Sequence, residues 1–426
     1  MTAPIERLAV VGAGLVGASI ALAARAAGVG QVRITDTDPM VRRRAAELEV
    51  ADEVCEDLAS TVHDAEVVIA AVPAAVVADV LSAASRAAPR DAILTDAASL
   101  KENLTLEVES RLRLDEDAGP DLEGEVQGDR GPVPHADHAP RTAAADRTGG
   151  ADRAAPAAAT PGGSRSGRFV GGHPMAGSER SGPDAADARL FQGATWVLTP
   201  TAATDDDVLP RLSTLLRRLG ARVVALPPKR HDELVAIVSH LPQVVASVLA
   251  DVAADAVEAT GDAVLSVAGG GYRDTTRIAA SDPALWVPIL AGNRSAILDA
   301  LQAYEQRLAR VRAALADGDL DQVATVLARA SVARRQLVGK GEIGPEVDVV
   351  VPLDDRPGQL AEATTALGEA GINVEDLAMR HATEGQRGAL LLRVAAAEAQ
   401  RAVQRLEAAG LAAHVEDDPA SPAVGP

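Results

Sequence analysis

Leu8-Ala9-Val10-Val11-Gly12-Ala13-Gly14-Leu15-Val16-Gly17 is the stretch on which the fold of the first half turns. Four apolar residues of β type run straight into a G-x-G-x-x-G pattern, and Ala18 to Ala27 then supplies good helix formers. Gln31-Val32-Arg33-Ile34-Thr35-Asp36 follows as a second strand with a carboxylate at its end. Strand, glycine turn, helix, strand and an acid about 20 residues further on make the dinucleotide-binding fingerprint in its required context. Gly12 is expected to form the tight turn, Gly14 to let a pyrophosphate reach the backbone, and Gly17 to permit close helix–strand packing. The helix start at Leu15 and Val16 presents unpaired N–H groups and a partial positive charge. Asp36 suits the two hydroxyls of a ribose and would repel a 2′-phosphate, which favours NAD over NADP, although Arg42, Arg43 and Arg44 lie nearby.

The alternation continues outward. Glu66 to Pro73 reads as a buried parallel strand whose end, at Val72, falls on the cofactor side; Ala75 to Ala88 reads as a helix and Ala92 to Asp96 as another strand. The loop Asp96-Ala97-Ala98-Ser99-Leu100-Lys101 then places a hydroxyl at the ligand-facing edge, where Ser99 could equally cap a helix. From 115 to 168 the composition shifts to Ala, Gly, Pro, Asp and Arg, too poor in large apolar side chains to offset the entropy of ordering. That segment is expected to be a disordered insertion in a nucleotide-binding domain spanning 1–228. Strands at 194–199 and 222–226, with a helix around 206–219 between them, close the domain at Pro227-Pro228.

Phe169-Val170-Gly171-Gly172-His173-Pro174 carries an imidazole placed by backbone constraint. Pro174 pushes the residue before it toward an extended conformation, and Gly171 and Gly172 allow another group to come close. Taken alone, the stretch fits a glycine-rich turn with a satisfied histidine better than it fits a catalytic base.

Residues 229–340 read as all-helical. Leu234, Leu241, Val245 and Val252 recur at helical spacing with a kink expected at Pro242, and Leu298, Leu301, Tyr304, Leu308, Val311 and Leu315 form a second stripe. Such long stripes suggest a helical homodimer interface. Between them, Gly269-Gly270-Gly271-Tyr272-Arg273-Asp274-Thr275-Thr276-Arg277 puts two arginines four apart. On one helical turn they would form a carboxylate clamp; solvated surface arginines are the alternative. Residues 346–417 have the order β-α-β-β-α-β of a ferredoxin-like α+β domain, and 418–426 reads as a frayed tail. The fold class expected is therefore α/β with a Rossmann-type doubly wound sheet, then an all-α domain, then a ferredoxin-like one.

The net charge of −20 over 426 residues argues against a nucleic-acid or anionic-membrane partner, and makes an arginine cluster necessary for any anionic substrate. Cys55 is the sole cysteine, which fits a reducing compartment such as the cytoplasm and excludes a cysteine-rich metal site. Metal-ligand spacings are absent elsewhere, so no metal is expected. Leu8 to Gly28 has the look of a signal peptide, but three glycines interrupt it and it runs on into a strand. No other apolar run is expected to reach the ~20 residues that span a membrane.

Gly171-Gly172-His173-Pro174-Met175-Ala176-Gly177-Ser178-Glu179-Arg180-Ser181-Gly182 resembles the signature of prephenate dehydrogenases. So do Thr95 to Lys101, His231-Asp232-Glu233 through Ser239-His240-Leu241-Pro242, and Gly269 to Arg277 followed by Asp282-Pro283-Ala284-Leu285-Trp286; residues 346–417 are similar to ACT regulatory domains. The resemblance implies NAD-dependent oxidative decarboxylation of prephenate, with His173 accepting the hydroxyl proton and Ser99 bonding the same hydroxyl. It further implies Arg277 on a carboxylate and His240, Ser178, Glu179, Gly270 and Trp286 around the substrate. An aromatic amino acid, tyrosine foremost, would bind near Asp355, Gly358 and Asn373. Gln243 stands where many members carry histidine, and Ala98 replaces a frequent glycine. Arogenate, which has an amino group in place of the keto oxygen, remains an alternative substrate. A redox-inert NAD and amino-acid sensor is the alternative of another class; a β-hydroxyacid dehydrogenase is disfavoured because Lys229 lies outside that family's lysine motif.

Overall fold

The computed structural model describes residues 4–117, 164–177, 180–261, 263–338, 346–352, 358–374, 376–380 and 388–416. Its first half is one eight-stranded sheet: β1 (Arg7–Val11), β2 (Gln31–Thr35), β3 (Glu53–Val54), β4 (Val67–Ala70), β5 (Ile93–Asp96), β6 (Phe169–Pro174), β7 (Thr195–Thr199) and β8 (Arg222–Ala225). The spatial order is β3-β2-β1-β4-β5-β6-β7-β8, so the chain reverses direction across the sheet beside β1, where the glycine turn emerges. Successive residues of the central strands point to opposite faces. Leu8, Val10, Val67, Ile69 and Ile93 join one apolar core and Ala9, Val11, Val68, Ala70 and Leu94 the other, which is why these strands read as continuous apolar runs.

One strand pair departs from the parallel pattern. β6 is parallel to β5 but antiparallel to β7, and β7 and β8 are parallel to each other. A parallel return needs a crossover, usually a helix. The β6–β7 connection contains only the 3-10 turn Pro183–Ala185 among its described residues, so the chain folds back instead.

The expected insertion has a later start than its composition suggested: the helix Glu102–Asp117 continues through residues 115–117, with its apolar side buried by Leu104, Val108 and Leu112. Residues 118–163 lie outside the described structure. At the far side, the Ser164 hydroxyl donates to Glu116 Oε2 at 2.8 Å, and the Arg165 N–H also donates to that carboxylate. The two described ends thus meet, at Glu116 and Ser164–Arg165.

The helical half begins at Pro228–Val235, passes through a π-helical stretch Ala236–His240, and continues as Leu241–Thr260. The kink expected at Pro242 is absorbed upstream: proline cannot donate to the carbonyl four residues back, and the turn ahead of it widens. Contrary to the sequence reading, Pro228–Thr260 is long and apolar enough to cross a bilayer by length and composition. Its His231, Asp232, His240 and Gln243 are buried against protein. Helices Pro283–Gly292, Arg294–Asp317 and Leu320–Val338 complete this half. Val252 is 61% exposed and Leu315 58%, and Val248, Leu298 and Leu308 are likewise uncovered.

Last comes a four-stranded antiparallel sheet of β9 (Glu346–Pro352), β10 (Asp376–Arg380), β11 (Ala389–Ala395) and β12 (His414–Val415), in the order β10-β11-β9-β12. Helices Gln359–Glu369 and Ala399–Ala408 cover it through Leu360, Leu367 and Leu406. Its core is continuous with Leu209, Leu212 and Leu216 of the helix Val208–Arg218. The carboxylate of Asp206, raised above its ordinary pKa by burial, accepts the backbone N–H groups of Leu360 and Gly358 across that contact. Gly358 caps the Gln359–Glu369 helix in a left-handed conformation (φ 88°) and Asn373 is exposed, while Asp355 and the tail 418–426 lie outside the described residues.

Candidate active site

The glycine turn fits a dinucleotide by its own sterics. Gly12 has φ +99°, and a Cβ there would lie 2.4 Å from the Ala71 carbonyl oxygen and 3.0 Å from Val72 Cγ1. A Cβ on Gly17 would lie 1.9 Å from the Gly12 oxygen. Packing thus explains both glycines. It does not explain Gly14, whose Cβ would meet no protein atom within 4 Å. Gly14 also begins the helix Leu15–Ala26 without a side-chain cap, so the first N–H groups at Leu15 and Val16 face outward. A phosphate lying against the backbone accounts for both features.

Asp36 sits at the end of β2, where its Oδ2 accepts the Ala13 N–H at 2.8 Å and its Oδ1 the Asp38 N–H at 3.0 Å. The carboxylate therefore braces the glycine turn. Of the neighbouring arginines, Arg44 is committed to Asp184 and Glu47, and Arg42 donates to the carbonyls of Asp36 and Thr37. Asp36→Ser is expected to raise the NADP/NAD ratio of kcat/KM at least about tenfold, by removing the charge that repels a 2′-phosphate. Because the brace on Ala13 goes too, KM for NAD should rise; initial rates with both cofactors measure both effects.

His173 lies on a strand, β6, and not in a turn. Its two preceding glycines serve close approach. A Cβ on Gly171 would lie 2.5 Å from Thr199 Oγ1 and 3.0 Å from Lys101 Cδ, and one on Gly172 would lie 2.5 Å from the Asp96 oxygen. Beneath this crossing is a fully buried ion pair, Lys101 Nζ to Asp96 Oδ1 at 2.6 Å. Asp96 also accepts the Ala98 N–H (2.8 Å) and the Gly172 N–H (3.3 Å), which ties the loop bearing Ser99 to the strand bearing His173. Ser99 is half-buried on that loop.

Behind His173 runs a chain of polar groups, of which His231, Asp232 and Asn293 carry no role assigned from the sequence. His173 Nδ1 faces His231 Nε2 at 2.8 Å, and His231 Nδ1 faces Asp232 Oδ1 at 2.7 Å. Asp232 also receives the Lys101 N–H (3.0 Å to Oδ1) and the Glu102 N–H (2.9 Å to Oδ2), so it caps the Glu102–Asp117 helix from a distant segment. The Asp232 carbonyl accepts Asn293 Nδ2 at 2.8 Å, and the same amide faces His240 Nδ1 at 3.2 Å. Trp286 meets the His240 ring edge-on, with centroids 6.0 Å apart. The only sequence hint of Asn293 was a polar residue between two apolar helical runs.

Burial holds His173 well below the ordinary imidazole range, and the neighbouring His231, Lys101 and His240 push the same way; the ring still keeps part of its surface accessible. Burial also lowers His231, against the opposing hydrogen bond that His231 donates to Asp232, and pushes His240 down to about 4. All three imidazoles are therefore neutral near pH 7. His240 accepts at Nδ1 from Asn293, which leaves Nε2–H as a donor to a substrate oxygen.

Other expected site residues are placed apart from this chain. The helix Gly270–Thr276 ends before Arg277, which opens a 3-10 turn, so Arg273 and Arg277 do not form the expected pair on one α-helical turn. Both are exposed, as is Gly270, and Arg277 makes no ion pair among the described residues. Ser178 and Glu179 lie outside the described residues. Gln243 is buried, with its amide 3.5 Å from Ser247 Oγ.

Comparison with known proteins completes the picture. Residues 20–117 and 153–225 match the nucleotide-binding domain of prephenate dehydrogenases, and residues 227–329 match their dimerization domain. The chain belongs to the prephenate dehydrogenase family. It is 34% identical over 225 residues to a Bacillus subtilis prephenate dehydrogenase, covering 52% of this chain and 60% of that one. It is 27% identical to a Zymomonas mobilis cyclohexadienyl dehydrogenase over 341 residues, 80% of this chain and 99% of the relative. An Aquifex aeolicus prephenate dehydrogenase, solved with hydroxyphenyl propionate and NAD+, shares the fold with a TM-score of 0.62 at 24% identity, over 79% of this chain and all of that one.

Proposed function

We propose that this chain catalyses the NAD-dependent oxidative decarboxylation of prephenate to 4-hydroxyphenylpyruvate. The observation that carries the reading is a neutral imidazole, His173, at the end of a strand in the nucleotide-binding sheet of a prephenate dehydrogenase family member. Bound NAD+ supplies the hydride acceptor. The chain's own residues do the rest. His173 Nε2, which makes no hydrogen bond among the described residues, takes the proton of the ring hydroxyl, and Ser99 holds that hydroxyl in register. His240 donates through Nε2–H to one carboxylate while Arg277 supplies the charge for the other, with Gly270, Trp286, Ser178 and Glu179 lining the remainder. Departure of carbon dioxide leaves an aromatic ring, which drives the reaction forward.

The uncovered apolar side chains of the Leu241–Thr260 and Arg294–Asp317 helices suit burial against a second copy, so the working unit of this reading is a homodimer. The 346–416 sheet is read as an ACT regulatory domain that binds tyrosine near Asp355, Gly358 and Asn373; one buried cysteine, Cys55, accords with a reducing, cytoplasmic setting. The name of the Zymomonas relative favours one second reading, a dehydrogenase that accepts both prephenate and arogenate.

Initial rates of NAD+ reduction with the two substrates separate these readings. The primary reading expects kcat/KM at least about tenfold higher for prephenate. Parity would move the assignment to the dual-specificity enzyme, and turnover of arogenate alone would overturn it. Adding tyrosine to the same assay is expected to inhibit the wild type, with the half-inhibiting concentration raised about tenfold or more in Asn373→Ala. A curve unaltered by that substitution counts against the effector site.

A further inference from the structure

The chain behind His173 has a direction, and Asp232 sets it. Every group against the Asp232 carboxylate is a donor: the N–H groups of Lys101 and Glu102, and His231 Nδ1 at 2.7 Å. His231 must then carry its proton on Nδ1, which leaves Nε2 as an acceptor. The group facing that acceptor at 2.8 Å is His173 Nδ1, so Nδ1 of His173 must be the N–H, and Nε2 keeps its lone pair. We propose that Asp232 and His231 are positioning residues that fix His173 in the Nδ1–H tautomer, leaving Nε2 as the base. The inference rests on the reading of His173 as the base for the substrate hydroxyl.

The step balances simply. The hydroxyl O–H bond breaks and its electron pair forms the carbonyl C=O as the hydrogen on the same carbon leaves as hydride to NAD+, and the proton forms a new bond to His173 Nε2. When the C–CO2 bond breaks, its electron pair passes through the ring to that oxygen, which takes the proton back as the phenol. The imidazolium so formed keeps its Nδ1–H bond to His231 Nε2, and the Asp232 carboxylate lies behind that ring. The other charged or titratable groups packed around His173 are Lys101, at the start of the Glu102–Asp117 helix, and His240, on the π-helical stretch; neither is hydrogen-bonded to it. Asp96 is engaged by Lys101 Nζ at 2.6 Å. Among the described residues the orienting hydrogen bond therefore comes from His231 alone.

Asp232→Asn reverses the chain while keeping the Glu102 part of the helix cap; the Lys101 N–H, 3.0 Å from Oδ1, then has only the oxygen at the Oδ2 position, 3.3 Å away. The Glu102 N–H, 2.9 Å from Oδ2, requires the amide oxygen at that position, which turns the amide nitrogen toward His231 Nδ1. His231 then donates through Nε2, His173 accepts at Nδ1, and its proton moves to Nε2, where a base is no longer available. Expected is a fall in kcat of about 10²- to 10⁴-fold with KM nearly unchanged. His231→Gln, whose amide oxygen can still accept from His173 Nδ1, should retain at least about tenfold more activity than His231→Leu.

Nitrogen NMR of protein labelled with ¹⁵N-histidine, assigned with His173→Asn and recorded without substrate, reads the tautomer directly. Expected is Nδ1–H on His173 in the wild type and Nε2–H in Asp232→Asn. A wild-type Nε2–H tautomer overturns the proposal, as does Asp232→Asn turning over within about threefold of wild type, or equal activity in the two His231 variants. Because the spectrum needs no substrate, it stands apart from the substrate assignment, which the rates with prephenate and arogenate decide.

Discussion

His173→Asn is expected to lower kcat by about 10²- to 10⁴-fold, the range that loss of a positioned general base produces. Asparagine keeps a polar atom near the Nδ1 position, within reach of His231 Nε2, so β6 and the chain behind it should stay in place. It offers nothing at the Nε2 position that can take a proton. The cofactor turn lies on β1 and β2, braced by Asp36 to Ala13, and should be untouched. The dissociation constant for NAD+, measured by calorimetry, is therefore expected within about threefold of wild type. A variant that turns over within tenfold of wild type would remove His173 from the chemistry.

Lys101→Met should cost about 3–5 kcal/mol of folding stability, the penalty for stranding one partner of a buried ion pair. Lys101 and Asp96 are both fully buried, and no other cation hydrogen-bonds to the Asp96 carboxylate among the described residues. A double variant, Lys101→Met with Asp96→Asn, tests the mechanism. The amide oxygen can still accept the Ala98 or Gly172 N–H while no charge remains buried, so the double variant should recover much of the loss in urea unfolding. If instead the two single losses simply add, the pair is not the unit that holds β5, β6 and the Ser99 loop together.

What was legible in the chain follows from how local each signal is. The β1 turn, Gly12, Gly17 and Asp36 stand within one βαβ unit, so spacing alone specifies their geometry, and the structure places them accordingly. The reversal between β6 and β7 was not legible, because apolar periodicity reports which residues are buried and says nothing about strand direction. The same limit explains the end of the Glu102–Asp117 helix, where a composition rich in charge masked the last turn.

At the site, His173 could be picked out because proline and glycines constrain it locally. His231 and Asp232 stood out only as part of a family motif without a role, and Asn293 not at all. They meet His173 and His240 because the Pro228–Val235 helix packs between the Glu102–Asp117 and Arg294–Asp317 helices, a tertiary event with no local signature. Arg277 shows the converse error. Its four-residue offset from Arg273 assumed a continuous α-helix, and the change to a 3-10 turn at that residue alters the projection.

The pH dependence of kcat/KM for prephenate tests the central claim most directly. The base must be neutral to accept a proton, and burial lowers its pKa in the free enzyme, so the rate should be flat from neutral pH downward. It should then fall about tenfold per pH unit only below the ordinary imidazole value of roughly 6.5. The account predicts that this acid limb disappears in His173→Asn, leaving a low and flat profile. A limb centred above 6.5, or one that persists in the variant, would contradict a buried, neutral His173 as the group that takes the hydroxyl proton.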